Sequence, residues 1–284
     1  MTNNKTIAII GTGRLGGTLA LGLNRAGYNI RFLASKNNIS AKKIARQTAA
    51  EEISPPFAEL TGVDLIFITT PDQTIPEIVK TLAGAQIDWN GKSVAHCSGA
   101  LTTEVLKPLS DKGAKTLTLH PSQTFPPEPD PHRFNGIYFA VEGEDYSTGE
   151  IIAKALGGNS FRLDSESKIL YHAAACFASN FLYGLASAAR ILMIEAGFER
   201  EKSLKILLPL MLGTIDSIEE YGIEEGLTGP IARGDIDIIE KHLTAMENYP
   251  EIINIYKTLG RWLINTANLN QDLHDRMKEI LRNY

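Results

Sequence analysis

Ile7-Ala8-Ile9-Ile10-Gly11-Thr12-Gly13-Arg14-Leu15-Gly16 is an apolar run that ends in G-x-G-x-x-G and passes directly into helical periodicity from Leu15 to Ala26. Asn29 to Leu33 follows as a second strand at the usual distance, so the three pieces read as one βαβ unit. Each glycine has its own physical task. Gly11 permits the tight turn, Gly13 lets the backbone approach a pyrophosphate, and Gly16 lets the helix pack closely on the strand. The unpaired N–H groups at the start of the helix face the phosphates. The stretch therefore predicts a dinucleotide site built from Gly11, Thr12, Gly13, Arg14, Leu15 and Gly16.

The end of the second strand selects the dinucleotide. An acid there would bond the ribose 2′-hydroxyl and favour NAD(H), whereas a hydroxyl or a cation accommodates a 2′-phosphate. Leu33-Ala34-Ser35-Lys36, with Arg31 nearby, holds no acid. Ser35 can donate to a phosphate and Lys36 can neutralise it, so the expected cofactor is NADP(H).

Working outward, short β-branched runs alternate with helical segments through the first half of the chain. That is the pattern of a parallel sheet with helices on both faces. Asp64 to Thr69 is nearly all apolar, as for a strand buried on both sides, and a helix follows from Thr74 to Ala83. Ser93 to His96 and Lys115 to Leu119 read as further strands, with a helix from about Thr102 to Lys112 between them. The prolines from Pro121 to Pro131 exclude a regular element, and Gly136 to Glu142 and Ser160 to Leu163 complete the strands around a helix. From about Asp164 onward every segment has helical periodicity. Gly197, Gly213, Gly222 and Gly229-Pro230 mark expected breaks. Ser165 to Gly197, long and apolar around much of its circumference, is expected to be central and buried. The predicted organisation is an α/β domain over residues 1–163 and an all-helical domain over 164–284.

The totals agree with two soluble domains. The chain has 284 residues, 43% apolar and 21% charged. Its net charge of −5 gives no attraction to nucleic acid or to an anionic membrane. Cys97 and Cys176 stand far apart with no zinc-ligand spacing, which fits a reducing compartment and predicts no metal site. The first apolar run is broken by Gly11, too early for a signal peptide or a membrane span. A cytoplasmic protein is expected.

Open α/β sheets bind ligands at the carboxyl ends of their strands. Thr69-Thr70-Pro71-Asp72 stands at one such end, and His96-Cys97-Ser98-Gly99 and His120-Pro121-Ser122 at two others. Thr70, Pro71 and Ser98 are therefore assigned to the cofactor, and His96 and His120 to a substrate, although either histidine alone can be a satisfied structural one. In the helical half, Lys168, His172, Cys176 and Ser179 recur at i, i+4, i+8 and i+11 and share one stripe, with Asn180 at its edge. A polar stripe on an apolar helix must face something polar, because burying such groups unpaired is expensive. A cleft between domains would satisfy it, and so would solvent or a structural pairing with the first domain.

On these residues the chain resembles the 6-phosphogluconate dehydrogenase-like superfamily, which includes β-hydroxyacid dehydrogenases, ketopantoate reductase and pyrroline-5-carboxylate reductase. The likeness is greater to a reductase-like group that joins a Rossmann domain to a helical domain of unknown function. The motifs that carry it are HCSGA at His96 to Ala100, LHP at Leu119 to Pro121, KxxYHAA at Lys168 to Ala174, SN at Ser179-Asn180 and LTGPIARGD at Leu227 to Asp235. The resemblance implies an α/β Rossmann domain followed by an all-α C-terminal domain, and a homodimer formed through the helical part. In the better-known relatives a lysine on the long helix, with an asparagine one turn later, protonates substrate oxygen as hydride arrives. Lys168 matches that lysine, but the next turn carries His172, and an asparagine comes only at Asn180. The general acid is thus Lys168 or His172, with Asn180 beside them and Ser179 and Arg233 toward substrate. Arg233 can clamp a carboxylate or can pair with Asp235. The expected function is hydride transfer between NADP(H) and a small carbonyl or imine compound. The rival expectation is an NADP-binding sensor that kept the fold and lost turnover.

Overall fold

A computed structural model of the chain describes residues 5–36, 38–55 and 57–283. By contacts the chain divides into two compact units, 1–179 and 180–284. The helix that carries Lys168 therefore goes with the first unit, and the change of sequence character near Asp164 falls before the division.

The first unit is built on a single eight-stranded sheet: β1 (Thr6–Ile10), β2 (Asn29–Ala34), β3 (Glu51–Glu52), β4 (Leu65–Ile68), β5 (Ser93–His96), β6 (Lys115–Pro121), β7 (Tyr138–Gly143) and β8 (Asn159–Arg162). Their spatial order is β3-β2-β1-β4-β5-β6-β7-β8. All neighbours are parallel except β6 and β7, which run antiparallel, a departure from the fully parallel sheet expected. The helices of this unit are α1 (Arg14–Arg25), α2 (Asn38–Thr48), α3 (Ile75–Gly84), α4 (Lys107–Ser110), α5 (Tyr146–Ala155) and α6 (Lys168–Ala178).

Alternation along the strands separates two cores. Ile7, Ile9, Leu65 and Phe67 point to one face, against Leu19 and Leu23 of α1 and Ile152 of α5. Ala8, Ile10, Ile66 and Ile68 point to the other, against Val79 and Leu82 of α3 and Leu109 of α4. Each fully buried Phe, Leu or Ile side chain stabilises by about 1.5–3 kcal/mol, and that double burial makes β4 read as a continuous apolar run.

The helix expected from Thr102 to Lys112 is shorter and tighter. A 3-10 turn over Thr103–Leu106 leads into α4, whose first turn holds Pro108. The proline-rich stretch is not the wholly irregular segment expected: Pro121 ends β6, paired with Phe139, where its missing N–H falls at the strand end, and Pro131–Phe134 is a 3-10 turn whose Phe134 ring packs against Phe125 and Phe139.

The second unit contains α7 (Asn180–Glu195), α8 (Arg200–Gly226), α9 (Pro230–Arg233), α10 (Ile236–Ala245), α11 (Pro250–Ile264) and α12 (Gln271–Asn283). Its core is Ile239, Leu243, Ile264, Met277 and Leu281. Gly197 and Gly229 have positive φ at helix ends, and Gly222, at φ 78°, kinks α8. Gly213, expected as a break, stays inside α8.

The stretch Ser165 to Gly197 departs most from expectation. It is not one helix, because Ser179 leaves helical geometry at φ −127°, ψ −71°. Nor is it buried: of its helical residues only Lys168 is, while Leu170 is 77% and Tyr183 75% exposed. These helices therefore carry apolar side chains that are exposed among the described residues. Among the described residues, 165–195 is also the one stretch long and apolar enough to cross a membrane by length and composition.

Candidate active site

Because β1, β4, β5 and β6 are parallel, their carboxyl ends fall in a row along one sheet edge. The row begins at the glycine-rich turn. Gly11 has φ 108°, and a Cβ there would lie 2.8 Å from the Thr69 carbonyl carbon. A Cβ on Gly16 would lie 1.8 Å from the Gly11 carbonyl oxygen, so the start of α1 touches the end of β1. A Cβ on Gly13 would meet no atom within 4 Å. The first and third glycines therefore serve the fold, and the second lies bare in front of the helix N-terminus, where a pyrophosphate needs access.

Around that turn Thr12 is buried, Leu15 half-buried and Arg14 exposed. Ser35 is half-buried and Lys36 exposed just past β2. Next in the row, Thr70 has its Oγ1 buried with no hydrogen-bond partner among the described residues. A buried hydroxyl without a partner is costly, so this atom at the ligand edge is suited to a ligand contact. Pro71 is exposed and precedes a 3-10 turn over Asp72–Thr74. These residues fit a dinucleotide.

After β5 the backbone is tied down by side chains. Ser98 Oγ donates to Asp72 Oδ2 at 2.7 Å and accepts from the N–H groups of Ala100 and Leu101 at 3.1 and 2.9 Å. Asp72, which sequence reasoning did not single out, thus links the turns after β4 and β5. Its signal was its place after Thr70-Pro71. His96 has no exposed surface; its Nε2 donates to the Thr102 carbonyl at 3.2 Å and its Nδ1 accepts from the Ser98 N–H at 3.2 Å. Burial pushes its pKa down to about 4, with Lys168 adding to the shift, so the ring is neutral. His96 accordingly shapes the turn, with neither ring nitrogen left for substrate.

The pairing register continues this face across the sheet. His96 pairs with Thr118 and Thr118 with Glu142, and one step along, His120 pairs with Ala140 and Ala140 with Phe161. Paired residues point to the same side, so His96, Thr118 and Glu142 form a polar row, with His120 and Phe161 beside it. α6 lies over both rows. Lys168 donates to Thr118 Oγ1 at 2.6 Å and stands 3.7 Å from Glu142 Oε2, and neither charged side chain is more than 3% exposed. Glu142 also accepts from Thr103 N–H (3.0 Å), Thr103 Oγ1 (2.7 Å) and Ser165 Oγ (2.8 Å). Burial lowers the Lys168 pKa, and the Glu142 carboxylate opposes that shift. Lys168 is thus a held charge beneath the site.

One turn on, Tyr171 and His172 reach the second row. The Tyr171 hydroxyl lies 2.7 Å from His120 Nδ1 and 2.8 Å from Ser122 Oγ. Its ring packs edge-on against both His120 and Phe161. His172 stands edge-on to His120 with centroids 6.0 Å apart, and its buried Nδ1 has no hydrogen-bond partner among the described residues. Gly99 admits both imidazoles: a Cβ there would lie 2.5 Å from His172 Nδ1 and 2.9 Å from His120 Nε2. The other ring nitrogen of His172 lies 4.0 Å from Cys176 Sγ. Sequence reasoning quoted Ser122 and Tyr171 within motifs without assigning either a site role, and it passed over Glu142. The i+3 spacing from Lys168 could have found Tyr171, whereas Glu142 needed the register.

The remaining expected residues fall at or after the division between the units. Ser179 stands at the break after α6. Asn180 begins α7 and belongs to the second unit, as does Arg233. Arg233 donates to Asp235 Oδ2 through Nε and Nη2, both at 2.8 Å. Among the described residues no group of three or more His, Cys, Asp or Glu is arranged to hold a metal ion.

Comparison with known proteins agrees with this architecture. Residues 2–121 match a family described as a Rossmann-like domain, and residues 137–262 match a domain of unknown function, DUF2520. No curated protein matches the chain. Among solved structures, a provisionally named NADP oxidoreductase from Bacteroides fragilis is 24% identical with a TM-score of 0.76, covering 92% of this chain and 98% of its own. Protein TM1727 from Thermotoga maritima is 25% identical with a TM-score of 0.66, covering 97% and 96%. A reductive aminase from Aspergillus terreus, in complex with NADPH and ethyl levulinate, is 17% identical with a TM-score of 0.67, covering 98% and 99%.

Proposed function

We propose that this chain, which joins a Rossmann-like domain to a DUF2520 domain, is an NADP(H)-dependent oxidoreductase acting on a small carbonyl or imine compound. One observation carries the reading. A bare Gly13, a partnerless Thr70 hydroxyl and a cluster of imidazoles and a phenol stand in sequence along one sheet edge. The first two suit the phosphates and ribose of a dinucleotide, and the third suits proton transfer next to the place where a nicotinamide would lie. The likeness to a reductase solved with NADPH supports the same reading.

Gly11 to Gly16 would hold the pyrophosphate, with Ser35 and Lys36 meeting the 2′-phosphate and Thr70 and Pro71 lining the ribose. NADPH, when bound, supplies a hydride. The chain positions the substrate and handles the proton. Lys168 is fully buried and held by Thr118 and Glu142, so its role is to anchor α6 and place Tyr171 and His172 over β6. The proton then passes through the phenol and imidazoles above it. The apolar side chains that α6 and α7 leave exposed are assigned to a second copy of the chain, giving a homodimer.

The test is NADPH consumption by the purified protein against a panel of small keto acids, cyclic imines and ketone–amine pairs. Turnover of at least one member is expected. An NADPH-binding protein that turns over none of them would point instead to a sensor.

A further inference from the structure

We propose that Tyr171 is the residue that hands the proton to substrate, held by Ser122 and resupplied through His120. The proposal rests on the reductase reading and deepens it. It departs from the expectation that Lys168 or His172 is the donor.

The geometry excludes Lys168 first. Its ammonium has no exposed surface and is engaged by Thr118 and Glu142, so a proton leaving it would strand a carboxylate in the interior. His172 stands on the far side of His120 from Tyr171. Its Nδ1 faces the Gly99 backbone, where His120 Nε2 also points, while Tyr171 meets His120 at the opposite nitrogen, Nδ1. The three side chains therefore line up as His172, His120, Tyr171, with the phenol at the end.

The phenol oxygen is built to lose a proton and regain it. His120 is assigned the Nδ1–H tautomer, so that it and the Ser122 hydroxyl, each within hydrogen-bond distance of the phenol oxygen, donate into it; the phenol's own hydrogen is then left for a third group, and the same two donors stabilise the phenolate. Phe161 and His120 grip the ring edge-on and fix its direction. Burial raises the Tyr171 pKa, opposed by the Ser122 hydrogen bond, so the phenol is protonated at neutral pH. Burial, with the neighbouring His172 and Lys168 adding to it, lowers the His120 pKa to about 4, against the opposing pull of Asp72, so that ring is neutral.

The step balances. As hydride bonds to the substrate carbon, the π pair of the C=O or C=N bond moves onto the heteroatom. The Tyr171 O–H bond breaks and a heteroatom–H bond forms. The phenolate takes the proton from His120 Nδ1, His120 Nε2 takes one from solvent, and exchange with solvent that returns a proton to Nδ1 and removes the one on Nε2 restores the starting tautomer. One solvent proton is consumed per hydride.

The experiment compares wild type with Tyr171→Phe, which keeps the ring between Phe161 and His120, on whichever panel compounds wild type reduces. We expect kcat to fall about 100-fold or more, with NADPH affinity unchanged and the thermal midpoint lowered by only a few degrees for the two lost hydrogen bonds. Retention of more than a third of wild-type kcat overturns the assignment and leaves the reductase reading standing. Failure of wild type itself to reduce any panel compound overturns both. A second reading needs no variant: wild-type kcat should fall at alkaline pH as a phenol ionises above its ordinary value near 10. A profile flat through that ionisation overturns the proposal.

Discussion

Lys168 and Glu142 form an ion pair in which neither side chain is more than 3% exposed, and the pair fastens the first turn of α6 to β7, next to the β8 edge of the sheet. Breaking a buried pair from one side leaves an uncompensated charge, at a cost of about 3–5 kcal/mol. Lys168→Met should therefore lower unfolding free energy by about that amount in urea denaturation. Adding Glu142→Gln should restore part of the loss, because the amide still accepts from Thr103 and Ser165 without carrying charge. A double variant as unstable as the sum of the two single ones would show that the charges do not couple.

Acid stability follows from the two buried histidines. His96 and His120 are both held near pKa 4 by burial, whereas an unfolded histidine titrates near 6.5. Between those values the unfolded chain binds more protons than the folded one, so stability is complete above about pH 6.5 and falls as pH drops toward 4. Each ring accounts for about 3 kcal/mol over that window. Denaturation midpoints across it should fall less steeply in His96→Asn than in wild type. An unchanged slope would show that His96 is not the group being protonated.

The glycines of the first turn should separate folding from binding. Gly16→Ala drives a methyl group into the Gly11 carbonyl, so folded protein should not be recovered. Gly13 has φ −68° and open space before it, so Gly13→Ala should fold with stability within about 1 kcal/mol of wild type. That same methyl group would stand where the pyrophosphate approaches, and NADPH affinity should drop about tenfold or more. Unchanged NADPH affinity in Gly13→Ala would place the phosphates elsewhere.

Much of the first unit was legible because its signals are local. The G-x-G-x-x-G turn, the doubly buried β4 and the positions of His96 and His120 at strand ends need only periodicity and spacing. β3 is two residues long and gives no pattern to read, whereas α2 carries Ala41, Ile44, Ala45 and Thr48 at helical spacing, a short signal that sequence reasoning passed over. The partners of Lys168 depended on register: Thr118 and Glu142 are neighbours only because β7 returns antiparallel to β6, and no spacing in the sequence encodes that pairing. The exposure of α6 and α7 was misjudged for a related reason. An apolar helix predicts that something covers it, but the pattern does not say that the cover lies in the same chain.

The most direct measurement is a paired titration of the purified protein with NADPH and NADH. Ser35 and Lys36 stand at the end of β2 where an acid would have selected the unphosphorylated ribose. NADPH should bind several-fold more tightly, and Lys36→Ala should narrow the difference. Equal or reversed affinities would contradict the account.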